Sequence, residues 1–425
     1  MAAADTHRTV EAVWRIESAR LIAGLARMVR DVGLAEELAQ DALVTALEKW
    51  PESGVPDNPG AWLTATAKRR AIDHLRRGKM LDRKHEEIGR ELDEQQASAR
   101  DDVDAALDNP IEDDLLRLVF IACHPVLSRE ARVALTLRLL GGLTTDEIAR
   151  AFLVGEPTIA QRIVRAKRTL AEAQVPFEVP RREELADRLA SVLEVIYLIF
   201  NEGYAATAGD DWMRPALCAD ALRLGRIVAG LLPQEPEVHG LVALMEIQAS
   251  RAAARTGPGG APILLLDQDR ARWDHLLIRR GLTALARAEA LGGASGPYAL
   301  QAAIAACHAR ARTAEETDWP RIAALYTALM QVTPSPIVEL NRAVAVAMAF
   351  GSAAGLALVD TLVAEPTLAG YHLLQSVRGD LLFKLGRLDE AREEFERAAE
   401  MTRNAREREL LLERAAACSR GVSVS

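Results

Sequence analysis

The chain has 425 residues, with 61 Asp and Glu against 52 Lys and Arg, for a formal net charge of −9. Hydrophobic residues make up 49% and aromatics 4%, which excludes a disordered chain and favours two to four domains of close-packed Ala and Leu helices. The four cysteines, Cys123, Cys218, Cys307 and Cys418, form no CxxC pair, which excludes a disulfide framework and points to a reducing compartment.

The first residues, MAAADTHRTVEAVWR, lack the apolar core of a signal peptide. Ala343 to Val359 carries no charge, but it is Ala-rich, is broken by Gly351-Ser352 and falls short of the ~20 residues a membrane span needs. The expectation is an all-α, cytoplasmic protein.

Leu21, Leu25, Met28 and Val29 recur at helical spacing, as do Leu34, Leu38, Ala42 and Leu43. PESGVPDNPG at 51–60 is a loop. The next segment, AWLTATAKRRAIDHLRRGK at 61–79, has one acid, Asp73, against Lys68, Arg69, Arg70, Arg76, Arg77 and Lys79. Leu63, Ala67, Ala71 and Leu75 can face a core and leave Arg69, Asp73, Arg76 and Arg77 outside. Trp62 has two readings. Beside a basic groove it suits base stacking, and at a helix start it also suits the core.

Residues 81–114 are strongly acidic and read as a solvated linker, helical in part. SREARVALTLRLLGG then has Ser128 as cap and Gly141-Gly142 as stop. In LTTDEIARAFLVGEPTIAQRIVRAKRTL (143–170), Thr144 and Glu147 have capping-box spacing. Val154-Gly155 makes a turn, and Pro157 suits the first turn of the next helix. That helix buries Ile159, Ile163 and Ala166 and shows Thr158, Gln161, Arg162, Arg165 and Arg168, with no acid from Thr158 to Leu170. This is a helix-turn-helix layout, in which Gln and Arg suit base edges and further cations suit phosphates. An ordinary helix pair with a solvated basic face is the plainer reading.

VPFEVPRR at 175–182 marks a second boundary, and ARTGPGGAP at 254–262 a flexible loop. The long remainder shows a period. In GRLDEAREEFERAAE, Gly386, Ala391, Phe395 and Ala398 have tetratricopeptide (TPR) spacing, with Gly379 one helix earlier. Steps of 35 and 34 residues lead back to Gly351 and Thr317, where Tyr326 and Pro334 take equivalent places. A period near ~34 residues means stacked helix pairs, against a non-repeating bundle.

The order of these motifs resembles region two and region four of bacterial RNA polymerase sigma factors, nearest to the extracytoplasmic-function (ECF) group of the sigma-70 family. The resemblance covers roughly residues 10–170 and rests on LAEELAQDALVTALEKW, AWLTATAKRRAIDHLRR and the helix-turn-helix. It implies region two at 1–80, an acidic linker at 81–110, region four at 111–175 and a TPR-like extension at 180–425. It also implies that Asp31, Glu36, Glu37, Gln40 and Asp41 contact core polymerase at its clamp helices, with region four on the flap. Asn58, Trp62, Arg69, Arg70, Asp73, Arg76 and Arg77 would bind and melt the minus-ten element. Thr158, Gln161, Arg162 and Arg165 would read the minus-thirty-five element. Pro157 and Ala160 depart from the usual pattern, where Gly and Lys are common, so the resemblance does not give the preferred bases.

The segment from Val192 to Leu224 resembles the start of the extension in sigma factors with a C-terminal TPR-like domain. Its Asn201-Glu202 followed by Asp210, Asp211 and Trp212 invites an acid–base or metal site, against simple helix capping. Cys123-His124 and Cys307-His308 invite zinc, but adjacent residues diverge on a helix. No nucleophile–base pair, phosphate-binding glycine loop or cofactor motif is present, so neither an enzyme nor a cofactor is expected. The function expected is a promoter-specificity subunit regulated by its C-terminal repeats, which also have room for a protein partner. The alternative is a stand-alone helix-turn-helix regulator with a TPR sensor.

Overall fold

A computed structural model describes residues 2–89, 111–152, 154–205, 213–257 and 262–420. Of the acidic linker, residues 81–89 continue a helix, and 90–110 lie outside the described residues. Asp210, Asp211 and Trp212 also lie outside them. Among the described residues there is no strand, only one isolated bridge between Thr256 and Pro262. No described helix is long and apolar enough to cross a membrane. The chain divides into two compact units, Met1–Ile196 and Tyr197–Ser425.

The first unit contains α1 (Ala2–Val29), α2 (Val32–Ser53), α3 (Pro59–Gly89), α4 (Ile111–Ala122), α5 (Arg129–Leu139), α6 (Thr145–Phe152), α7 (Glu156–Glu172) and the start of α8 (Arg182–Tyr204). Local chemistry sets the helix starts. Asp31 accepts from the Leu34 amide at 2.9 Å, and Asn58 accepts from the Ala61 amide at 3.0 Å. Ser128 caps α5 through the Ala131 amide at 3.3 Å. The Thr144 amide donates to Glu147 at 2.8 Å and the Glu147 amide donates to Thr144 at 3.1 Å, so both halves of the capping box form.

α1 packs against α2, α3 and α4, while α5, α6 and α7 close around one another. Their core includes Ile22, Leu25, Trp50, Leu63, Phe120, Leu135 and Ile148, all under 2% exposed. Each such side chain contributes about 1.5–3 kcal/mol by leaving water. Gly142 sits at φ +70°, and a Cβ there would lie 3.0 Å from the Ser18 hydroxyl oxygen. The end of α5 therefore approaches α1 closely at a position suited to glycine.

The boundary between the two units falls inside α8, later than the Pro-rich stretch 175–182. Ser191 donates to the Cys123 carbonyl at 2.6 Å, and Arg188 donates to the Phe120 carbonyl at 3.0 Å. Glu194 pairs with Arg129 at 2.7 Å and Arg132 at 3.2 Å. These bonds satisfy donors and acceptors at the end of α4 and on α5, so residues 182–196 complete the first unit.

The second unit continues with α9 (Pro215–Leu231), α10 (Pro236–Ala249), α11 (His275–Ala290), α12 (Pro297–Arg310), α13 (Trp319–Val332), α14 (Pro336–Phe350), α15 (Ser352–Leu362), α16 (His372–Lys384), α17 (Leu388–Met401) and α18 (Ala405–Arg420). From α12 to α18 each helix packs on the next. Proline stands in the first turn of α9, α10, α12, α13 and α14, where its missing N–H leaves nothing unpaired. Gly351 (φ +103°) and Gly386 (φ +76°), one repeat step apart, supply the left-handed turns after α14 and α16. A Cβ at Gly379 would lie 3.0 Å from the Phe395 ring. Phe395, Ala391 and Ala398 join Leu382 in one buried cluster.

Candidate nucleic-acid interface

α3 presents its basic stripe as the apolar spacing requires. Leu63, Ala67 and Ala71 are buried, and Arg69, Asp73, Arg76 and Arg77 are exposed. The Arg77 Nε donates to the Asp73 carbonyl at 3.2 Å, a bond that leaves the rest of its guanidinium free of that carbonyl. Arg70 is half-buried: it pairs with Asp41 at 2.7 Å and donates to the Thr45 hydroxyl at 2.8 Å. Trp62 is half-buried at the start of α3. Its ring meets the fully buried Trp50 edge-on, with centroids 5.4 Å apart. One ring is thus core, and the other lies at the edge of the core beside the basic stripe. Asn58 is exposed, but its side-chain oxygen is engaged as the α3 cap.

On α7, Ile159, Ile163, Ala166 and Leu170 are buried. Thr158, Gln161 and Arg165 are exposed, and Arg162 is half-buried. Val164 stands 64% exposed among them. Arg168 is exposed and pairs with Glu172 at 2.7 Å.

The five acidic and polar residues of the α2 region divide. Glu37 and Asp41 are exposed. Asp31 is exposed and its carboxylate caps α2. Glu36 departs from the expected surface position: it is 3% exposed. Its carboxylate receives Arg138 of α5 at 2.6 Å and Lys167 of α7 at 2.5 Å, and accepts from Gln40 at 2.5 Å. Glu36 therefore holds α2 to the helix-turn-helix rather than facing outward, and Gln40, half-buried one turn on, donates to it from the same helix. The physical reason is charge: a carboxylate this buried needs cationic partners, and two are within reach.

Arg138 and Lys167 carry no motif of their own. Glu36 shares a helical arc with the buried Ala35, Ala39 and Ala42, which signals burial without naming a partner. Arg15 of α1 adds a second tie, to Glu147 of α6 at 2.5 Å. Burial pushes Glu147 up, but the Thr144 amide and the Arg15 charge outweigh it and hold the carboxyl below its usual range. A third acid, Asp114 (3% exposed), takes Arg117 at 2.8 Å and Arg27 at 3.1 Å.

Among the described residues no group of three or more His, Cys, Asp or Glu could hold a metal. Burial pushes the Cys123 thiol up to about 11, partly countered by its hydrogen bond with the Thr136 hydroxyl at 3.3 Å. It behaves as a packed side chain.

Comparison with known families matches the Sigma-70 region 2 model at residues 16–80 and the Sigma-70, region 4 model at 117–170. Residues 188–289 match a Family of unknown function (DUF6596). The chain is 44% identical over 384 residues to Uncharacterized protein R00370 of Rhizobium meliloti, covering 90% of this chain and 89% of that one. It is 31% identical over 152 residues to the ECF RNA polymerase sigma factor SigK of Mycobacterium ulcerans, covering 34% of this chain and 75% of the relative. Over 173 residues it is 29% identical to the probable ECF RNA polymerase sigma factor SigI of Mycobacterium tuberculosis, covering 41% of this chain and 58% of the relative. No solved structure matches.

Proposed function

The chain belongs to the ECF RNA polymerase sigma factors of the sigma-70 family, and from that membership we propose how its two basic helices divide the work on a promoter. The observation that carries the reading is the pair of exposed cationic surfaces within one acidic chain: Arg69, Arg76 and Arg77 on α3, and Arg165 and Arg168, beside the exposed Gln161, on α7. α3 takes the minus-ten element as single strands. Its arginines neutralise phosphates, and Trp62, at the core edge, offers a ring for a displaced base. α7 reads the minus-thirty-five element in the major groove, with Thr158, Gln161, Arg162 and Arg165 at base edges or phosphates. Glu37 and Asp41 on the outer face of α2 meet core polymerase.

The Glu36 cluster adds a mechanical step. The two promoter elements lie about 25 base pairs apart, roughly 85 Å of duplex at ~3.4 Å per base pair. With Lys167 of α7 bound 2.5 Å from Glu36 of α2, and α3 packed on α2, α3 and α7 are too close to read both elements of one promoter. Release of Glu36 from Arg138 and Lys167 therefore accompanies holoenzyme assembly.

The second unit acts as a built-in regulator, with TPR-like stacking after α12 as its interaction surface. What supports this is the repeat step between Gly351 and Gly386 and the close Gly379–Phe395 packing.

Purified protein with core polymerase tests the reading by transcription from a cognate promoter. The expected result is polymerase-dependent activity and weak binding of free promoter DNA. Tight, specific binding without polymerase would favour a stand-alone regulator. For the regulatory role, truncation after Ala205 retains the α8 bonds to Cys123 and Arg132, which a cut near residue 178 would remove. Equal activity of full and truncated chains would count against built-in regulation.

A further inference from the structure

The second unit gathers arginines around aromatic rings, and one of them, Arg251, is buried with no carboxylate partner among the described residues. Arg251 is 8% exposed and Arg255 is 7% exposed. The Arg255 guanidinium lies 3.6 Å over the Tyr204 ring and donates to the Tyr204 carbonyl. Arg251 lies 5.7 Å from the centroid of that same ring and 6.0 Å from that of Trp273. Arg270 lies 4.9 Å from the Trp273 centroid. Cation and ring alternate in the order Arg255, Tyr204, Arg251, Trp273, Arg270.

Most of the nearby acids are engaged elsewhere. Glu246 takes Arg226 at 2.8 Å and Arg280 at 3.5 Å, and Glu202 takes Arg214. Asp269 and Asp274 cap the turns that follow them. Glu315 and Glu316 act on Arg270 through space, and Glu316 accepts from the Arg312 amide at 3.0 Å. Arg270 donates to the carbonyls of His308 (2.6 Å) and Ala311 (2.8 Å) and to the Thr317 hydroxyl (3.1 Å), all uncharged acceptors. Among the described residues, neither Arg251 nor Arg270 pairs with a carboxylate. Cation–π attraction recovers only part of the cost of taking a guanidinium out of water.

Buried polar atoms without hydrogen-bond partners occur on the same residues and their neighbour: Arg251 Nε, Trp273 Nε1 and His308 Nδ1. His308, packed edge-on against Trp319 at 5.2 Å, is pushed down to about 4 by burial and by the charges of Arg251 and Arg270. It stays neutral at ordinary pH and adds no charge of its own. The Arg251 fork and the Trp273 indole N–H suit planar or tetrahedral oxygens, Arg270 adds its charge close by, and the orphan His308 nitrogen suits a hydroxyl beside them.

We propose that the second unit binds a small oxyanion, the phosphate or carboxylate of a metabolite, between Arg251, Arg270 and Trp273. This site is independent of the promoter-reading helices. It supplies a chemical class of ligand through which a small molecule could act on the second unit.

The test is thermal unfolding of the full chain against inorganic phosphate, up to about 20 mM at constant ionic strength. A saturable rise of about 3 °C is expected. Arg251→Gln and Arg270→Gln, checked for native helicity, should abolish it. Arg251→Lys, which keeps the charge and removes the fork, should reduce it, and it serves where the Gln variants fail to fold. The proposal is overturned if the wild-type chain shows no saturable rise, as it would if the chain neutralised the array itself. It is equally overturned if the variants rise as much as the wild type, which would mark a general salt effect.

Discussion

Arginine does opposite things in the two units. On α3 and α7 it stands in water: Arg69, Arg76, Arg77 and Arg165 are exposed. In the second unit Arg251 and Arg255 are more than nine-tenths buried, Arg251 against the Tyr204 and Trp273 rings and Arg255 over Tyr204. An exposed guanidinium costs nothing to keep charged and can exchange its water for phosphate. A buried one has already given up its water, so its place must be justified by what it holds. The lesson is that the number of basic residues, 52 against 61 acids, matters less than where each guanidinium stands.

The strongest way to break that contrast is on the exposed side. Replacing Arg76 and Arg77 by Ala should lower open-complex formation by about 10–100-fold and flatten its dependence on salt. The log–log slope should shrink by roughly 0.7 for each single-strand phosphate that the variant no longer neutralises. Unchanged open-complex yield in a footprinting assay would remove α3 from the minus-ten element. Next, Arg165→Ala should weaken discrimination at one minus-thirty-five position by about 1–3 kcal/mol if it touches a base. A uniform loss across all promoter sequences would instead place it on phosphate.

Buried charge is sharpened by Glu36→Gln. Arg138 and Lys167 would lose their shared carboxylate, at about 3 kcal/mol, the low end for a buried pair because both cations are about one-fifth exposed. Paired fluorophores on α2 and α7 should then report a wider separation. An unchanged distance would mean that the other ties, Arg15–Glu147 among them, hold the arrangement alone.

A smaller effect is expected from acid. His308 binds its proton near pH 4 in the folded chain, against 6.5 ordinarily. Between those values the unfolded chain takes up a proton that the folded chain refuses. Stability should therefore fall as pH drops from about 6.5 toward 4, by on the order of 2 kcal/mol. Denaturant titrations at several pH values should show this slope reduced in His308→Gln. A slope unaltered by that change would shift the effect to His124, which burial and Arg188 also push down to about 4. Least of all is expected from Arg168→Ala, whose pair with Glu172 is in open solvent. No measurable change in melting temperature should follow.

Much of the helical layout was legible because its causes are local. Thr144 and Glu147 are three residues apart, and their reciprocal bonds need only one turn of helix. The arc of Leu63, Ala67 and Ala71 turned Arg69 and Arg76 outward by geometry alone. Capping also claimed side chains that the family resemblance assigns to partners: Asn58 and Asp31 each hold a backbone amide. The division at Ile196 was not legible, since the Pro-rich stretch 175–182 is a stronger local signal than the bonds of Ser191 and Glu194.

By itself, then, the sequence determined which residues share a helix, which arc of each helix is apolar, and in what order the two basic helices follow. Only the tertiary structure decided that Glu36 is buried while Glu37, the next residue, faces water. It alone brought Arg138 to Glu36 across 102 positions, and gathered Arg251, Arg270 and Trp273 around shared rings. The reason is that periodicity states which face of a helix is covered, whereas the identity of what covers it depends on packing between residues far apart in the chain.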